Sequence, residues 1–143
     1  MLGIERLQQA YFARCPDYPR GITVPAIVEI DSGQVVTNDF NQMTLDFSTE
    51  WTAHHREGAP DLYPEAQREE MDELMQWVFT EVNNGVYRCG FAGSQEAYEE
   101  AFERLFSALD TLEARLQDQR FLMGAAITLS LIHISEPTRL RRI

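Results

Sequence analysis

Between residues 65 and 118, apolar side chains recur every three or four positions, and this spacing constrains the chain more than any other feature. Met71, Leu74, Met75, Val78, Phe79 and Val82 fall on one side of a helix with 3.6 residues per turn. Asn83-Asn84-Gly85 then reads as the helix stop, because Asn and Gly tolerate the left-handed backbone of a C-terminal cap. Ser94 is placed to cap a second helix, with Glu96 in its first turn. Tyr98, Ala101, Phe102, Leu105, Leu109, Leu112 and Leu116 give that helix an apolar face to about residue 118. Two amphipathic helices in succession can each cover the other's stripe, so this half of the chain reads as an all-α unit.

The first half follows a different period. Ile4, Leu7 and Tyr11 have helical spacing over residues 2–14, and Pro16 and Pro19 end that pattern. "ITVPAIVEI", 22–30, is rich in β-branched residues and reads as a strand. Asp31-Ser32-Gly33 is a turn signal, and "QVVT", 34–37, supplies the returning strand of an antiparallel hairpin. Asn38 or Asp39 can cap a further helix, on which Phe40, Met43, Phe47 and Trp51 form an apolar stripe. Gly58, Pro60 and Pro64 mark 56–64 as a linker. The expected organisation is a unit over 1–55, the linker, and a helical unit over 65–128.

Composition narrows the function classes. A net charge of -11 argues against a nucleic-acid backbone or an anionic membrane as partner. No apolar run approaches the roughly 20 residues that span a bilayer, and no basic-then-apolar leader pattern opens the chain, so a cytoplasmic location is expected. Cys15 and Cys89 form no CxxC and no zinc-ligand spacing, which reads as two reduced thiols. Glu50 and His54 are one helical turn apart, but without a third ligand nearby the expectation is no metal. Trp51 and Trp77 read as core or interface residues.

The last fifteen residues, "LSLIHISEPTRLRRI", change character. They carry a local charge of +2, which leaves -13 on the rest of the chain. "LSLIHISEPTR" is also what one reading frame of a common transposon-derived sequencing adapter encodes. Residues 129–143 are therefore expected to be a non-native tail.

"APDLYPEAQREEMDELMQWVFTEVNNGVYRCGFAGSQEAYEEAFERLF" resembles the C-terminal helical domain of the glutathionyl-hydroquinone reductases, the Xi class of glutathione transferases. Its most specific piece is "VNNGVYRCGFAGSQEAYEEA", 82–101. "GITVPAIVEIDSGQVVTNDF" resembles the second half of their thioredoxin-like domain. The fold implied is α+β: the C-terminal half of a thioredoxin-like domain, then the first helices of an all-α transferase domain.

The activity implied is removal of glutathione, or a related low-molecular-weight thiol, from a thiol–hydroquinone conjugate, with the whole protein a homodimer and no metal required. The family's nucleophile lies in a Cys-Pro-Trp motif well ahead of the Thr-Val-Pro strand. Cys15 is followed by Pro16 and Asp17 just before that strand and does not match it. The implied nucleophile is therefore missing from this chain, which is expected to be an inactive internal fragment.

The resemblance implies further site residues. Thr23, Val24 and Pro25 match the thiol-binding loop, with Pro25 cis, Val24 pairing through its backbone with the cysteinyl part of the thiol, and Ile22 along the same edge. Asp39 and Phe40 stand where the family generally has Glu-Ser, a pair that takes the γ-glutamyl ammonium and carboxylate. Asp39 keeps the charge and Phe40 loses the hydroxyl, which suggests a thiol without a γ-glutamyl group. Tyr87 matches the tyrosine whose phenol exchanges a proton with the hydroquinone. Two other classes remain open: a non-catalytic dimerisation or binding module, and a small thiol oxidoreductase using Cys15.

Overall fold

A computed structural model describes residues 3–131 of the 143-residue chain. The part of the adapter-like tail beyond 131 lies outside the described residues. The chain divides into two compact units, at His55 and Arg56.

In the first unit, helix α1 (Leu7–Arg14) starts where the Gln9 side chain turns back to accept from the Glu5 and Arg6 amides, at 2.7 and 2.9 Å. It buries Ala10 and Tyr11, which close on Val35, with Ile4, Leu7, Tyr18, Ala26 and Val28 around them. Strands β1 (Ile27–Val28) and β2 (Val35–Thr37) pair antiparallel. The turn between them forms as the sequence predicts: the Gly33 amide donates to Glu29 O, the Glu29 amide to Gln34 O, and Gly33 takes a positive φ of 65°. Arg14 donates to the carbonyls of Val35 and Val36 along β2.

The strand expected over 22–30 is shorter than its β-branched run. Only Ile27 and Val28 form the ladder, with Glu29 bonded to Gln34 at the turn, because a strand extends only as far as a partner offers carbonyls and amides. Helix α2 (Phe40–Thr49) begins where Asp39 Oδ1 accepts from the Gln42 amide at 3.0 Å. Of its expected stripe only Met43 is buried, whereas Phe40, Phe47 and Trp51 are exposed.

The second unit is helical. Leu62 and Tyr63, inside the stretch read as a linker, already pack within it: Tyr63 is buried, and Leu62 O accepts from the Leu129 amide. Helix α3 (Arg68–Val78) buries Met71, Leu74 and Val78. It does not stop at Asn83-Asn84-Gly85. A π turn (Phe79–Asn83) carries the backbone directly into helix α4 (Asn84–Gly90). Asn83 and Asn84 keep right-handed backbone angles, with φ of -62° and -72°.

Gly85 serves packing instead. It is buried against the helix that follows in the chain, and a Cβ there would lie 3.2 Å from Leu105 Cδ1. Helix α5 (Gln95–Gln117) starts as expected, with Ser94 Oγ accepting from the Ala97 amide, and it buries Ala101, Leu105, Ala108 and Leu112. Its expected positions Tyr98, Phe102 and Leu109 are exposed. Leu122, Met123, Thr128, Leu129 and Ser130 close the core, and the Thr128 and Ser130 hydroxyls bond to each other at 2.8 Å. Among the described residues no helix is long and apolar enough to cross a membrane.

Candidate functional site

The Thr23-Val24-Pro25 segment is held from two sides. Tyr11, buried on α1, donates its hydroxyl to Thr23 O at 2.8 Å. Asn38, just before α2, donates its side-chain amide to Thr23 Oγ1 at 2.8 Å. Both ends of Thr23 are thus tied to neighbouring elements, although its residue is exposed. Val24 is 78% exposed and the Val24–Pro25 peptide is cis.

Asp39 and Phe40 follow Asn38 at the start of α2, where the Asp39 carboxylate already bonds the helix's own Gln42 amide. Neither Tyr11 nor Asn38 stood out as a site residue in the sequence. Tyr11 looked like one more residue on a helix face, and Asn38 like an alternative cap.

Cys15 ends α1. It is exposed and lines a cavity of about 430 Å³ together with Tyr11, Arg14, Tyr18, Val35 and Asn38. Its place is the C-terminal end of the helix, where the backbone dipole turns its negative pole outward.

Tyr87 lies in the second unit, on α4 rather than in a loop after a helix stop. It is 64% exposed and its ring stacks on Phe91, with centroids 6.3 Å apart and planes at 6°. Glu81, on the π turn, bonds Arg104 Nε and Nη2 at 2.5 and 2.6 Å and lies 3.7 Å from Arg88. The bond from Arg104 is the main reason the Glu81 carboxyl titrates below its ordinary range. Tyr63 donates to both carboxylate oxygens of Asp72, at 2.7 and 2.9 Å, with Arg68 over its ring. Burial, then the Asp72 bond, raises the Tyr63 phenol. Cys89 is half-buried, and among the described residues no three His, Cys, Asp or Glu side chains gather as a metal site would require.

Residues 95–133 match the family described as glutathione S-transferase, C-terminal domain, a match that runs past the expected boundary at 128. A glutathione transferase from Gordonia bronchialis superposes with a TM-score of 0.89 at 62% identity, over 92% of this chain and 41% of that one. By fold and sequence the chain is of the glutathione-transferase class.

The proteins it resembles within that class include glutathionyl-hydroquinone reductases, Xi-class transferases and omega-like transferases. It is 39% identical over 124 residues to glutathionyl-hydroquinone reductase YqjG of Escherichia coli (87% of this chain, 38% of the relative). It is 37% identical over 128 residues to glutathionyl-hydroquinone reductase PcpF of Sphingobium chlorophenolicum (88% and 40%). The glutathione-bound structure of YqjG matches with a TM-score of 0.82 at 38% identity, over 89% of this chain and 41% of that one. The chain spans about two fifths of the length of these curated relatives.

Proposed function

We propose that this chain is part of a thiol-dependent reductase that removes glutathione, or a related low-molecular-weight thiol, from hydroquinone conjugates. The observation that carries the reading is its identity to two glutathionyl-hydroquinone reductases over nearly nine tenths of its length. In the first unit, Ile22, Thr23, Val24 and Pro25 hold the thiol, with the Val24 backbone pairing to its cysteinyl part, and Asp39 and Phe40 meet its far end. In the second unit, Tyr87 acts on the hydroquinone oxygen. The whole protein works in the cytoplasm as a homodimer, without a metal.

The chemistry needs a nucleophilic thiolate, which the family motif assigns to a cysteine other than Cys15. That thiolate attacks the sulfur of the conjugate. A disulfide forms, the carbon–sulfur bond breaks, and its electron pair passes to the ring, which takes up a proton and leaves as hydroquinone. A second low-molecular-weight thiol exchanges with the mixed disulfide and restores the thiolate. Tyr87 holds and relays a proton at the ring oxygen as charge moves between sulfur and ring.

The test is a calorimetric titration of the chain with the S-glutathionyl conjugate of 1,4-hydroquinone, with free glutathione, and with a thiol lacking the γ-glutamyl group. Saturable binding of the conjugate is expected, without release of hydroquinone above the uncatalysed rate. Tighter binding of the thiol without the γ-glutamyl group would follow from Phe40 standing in place of a hydroxyl donor. No saturation by any of the three at millimolar concentration would sink the reading. The exposed rings of Tyr98, Phe102 and Phe106 favour a second reading, a non-catalytic dimerisation or binding module. Concentration-dependent self-association without any response to the conjugate would support it.

A further inference from the structure

Tyr87 is largely exposed, and its ring stacks on Phe91, the residue that caps the C-terminal end of the same helix. Its direction is therefore set by the backbone of α4, and whatever fixes α4 fixes Tyr87. Two contacts do so. On one side Glu81 reaches from the π turn to Arg104 of α5, through bonds to Nε and Nη2, and to Arg88, the residue next to Tyr87. The Glu81 side chain is only 13% exposed, so one carboxylate ties three helical segments together. On the other side Gly85 lets α4 approach α5 so closely that a Cβ would lie 3.2 Å from Leu105 Cδ1 and 3.7 Å from Arg88 Nη2. Single π turns inside helices frequently mark functional positions, because they redirect the residues that follow.

We propose that Glu81 and Gly85 are positioning residues: together they set the register of α4 on α5, and with it the direction in which Tyr87 presents its phenol. The functional part of this inference rests on the role of Tyr87 proposed above. The register itself does not.

The test compares Glu81→Gln, which keeps the shape and removes the charge, with Gly85→Ala, whose Cβ requires the α4–Leu105 contact to open by a few tenths of an ångström. The intact chain carries 13C-labelled tyrosine and phenylalanine. Without ligand, both variants are expected to stay folded, to shift the Tyr87 ring resonances and to weaken the nuclear Overhauser effect between the Tyr87 and Phe91 rings. In a titration with 1,4-hydroquinone, the response at Tyr87 is expected to need roughly threefold to tenfold more ligand, the scale of one lost contact. The response of Thr23 and Val24 to glutathione is expected to stay unchanged, a split that general loss of stability would not produce.

Folded variants with unmoved Tyr87 signals would overturn the proposal. Loss of the fold in both variants would also overturn it, because the contacts would then hold the unit together rather than aim one ring. A wild-type chain whose Tyr87 ignores hydroquinone would defeat the functional reading, while the ligand-free shifts still decide the register.

Discussion

The first unit closes its core on Ala10, Tyr11 and Val35, while the second buries a larger set of apolar side chains, among them Met71, Val82, Leu105, Leu112 and Leu129. The candidate site residues sit differently on these two foundations. In the first unit a short, exposed segment is held by single hydrogen bonds from Tyr11 and Asn38. In the second, Tyr87 stands on a helix pinned by a charged clamp and a buried glycine. A two-stranded hairpin with so small a core is marginal by itself, whereas the helices of the second unit bury a larger set of apolar side chains. The residues proposed to hold the thiol therefore depend on a weaker scaffold than Tyr87 does.

Breaking the core of either unit should give the largest effects. Tyr11→Ala removes a buried ring and the donor to Thr23 O, at a cost on the order of 3–5 kcal/mol. The first unit should lose its structure, visible as loss of dispersion at Val35 and Thr23, while α3 to α5 remain intact. Met71→Ala, at a fully buried position, should cost about 2–5 kcal/mol and yet leave the second unit partly folded, with a lower melting temperature. Equal collapse of both units in either variant would erase the contrast.

Smaller changes sharpen the comparison. Tyr63→Phe removes the donor to Asp72 and should cost the second unit about 1–2 kcal/mol by denaturant unfolding. Ser94→Ala removes the cap of α5 and should cost about 1 kcal/mol.

The pH dependence follows from the two displaced groups of the second unit. Glu81 titrates below its ordinary value of 4.5, so its contribution is present above that value and is lost as pH falls through the lower, folded value. Tyr63 titrates above its ordinary 10.0, so its contribution is present below 10.0 and is lost as pH rises through the folded value. Melting temperatures of the second unit should fall in both windows. Glu81→Gln should flatten the acid limb and Tyr63→Phe the alkaline one.

Much of this fold was legible because its signals are local. Asp31-Ser32-Gly33 makes the hairpin turn, and Asp39 and Ser94 cap the helices they precede. What could not be read depends on neighbours distant in sequence. Asn83-Asn84-Gly85 looks like a stop, yet Gly85 is there so that α4 can touch Leu105. The β-branched run 22–30 forms a ladder only at Ile27 and Val28, because strand extent is decided by the partner.

Periodicity put Phe40, Phe47, Tyr98 and Phe102 on apolar faces, but a period shows which residues share a face and not what covers them. The residues proposed for the site came from motif resemblance. The supporting roles of Tyr11, Asn38, Glu81 and Arg104 gave no sequence signal because they act through bonds between residues far apart in the chain.

The most direct test of the central claim is a residue-resolved NMR titration of the chain with the S-glutathionyl conjugate of 1,4-hydroquinone. The account predicts saturable shifts at Thr23, Val24 and Asp39 in the first unit and at the Tyr87 ring in the second, the latter lost in Tyr87→Phe. Shifts confined to the exposed rings of Tyr98, Phe102 and Phe106, with Thr23, Val24 and Tyr87 silent, would contradict it.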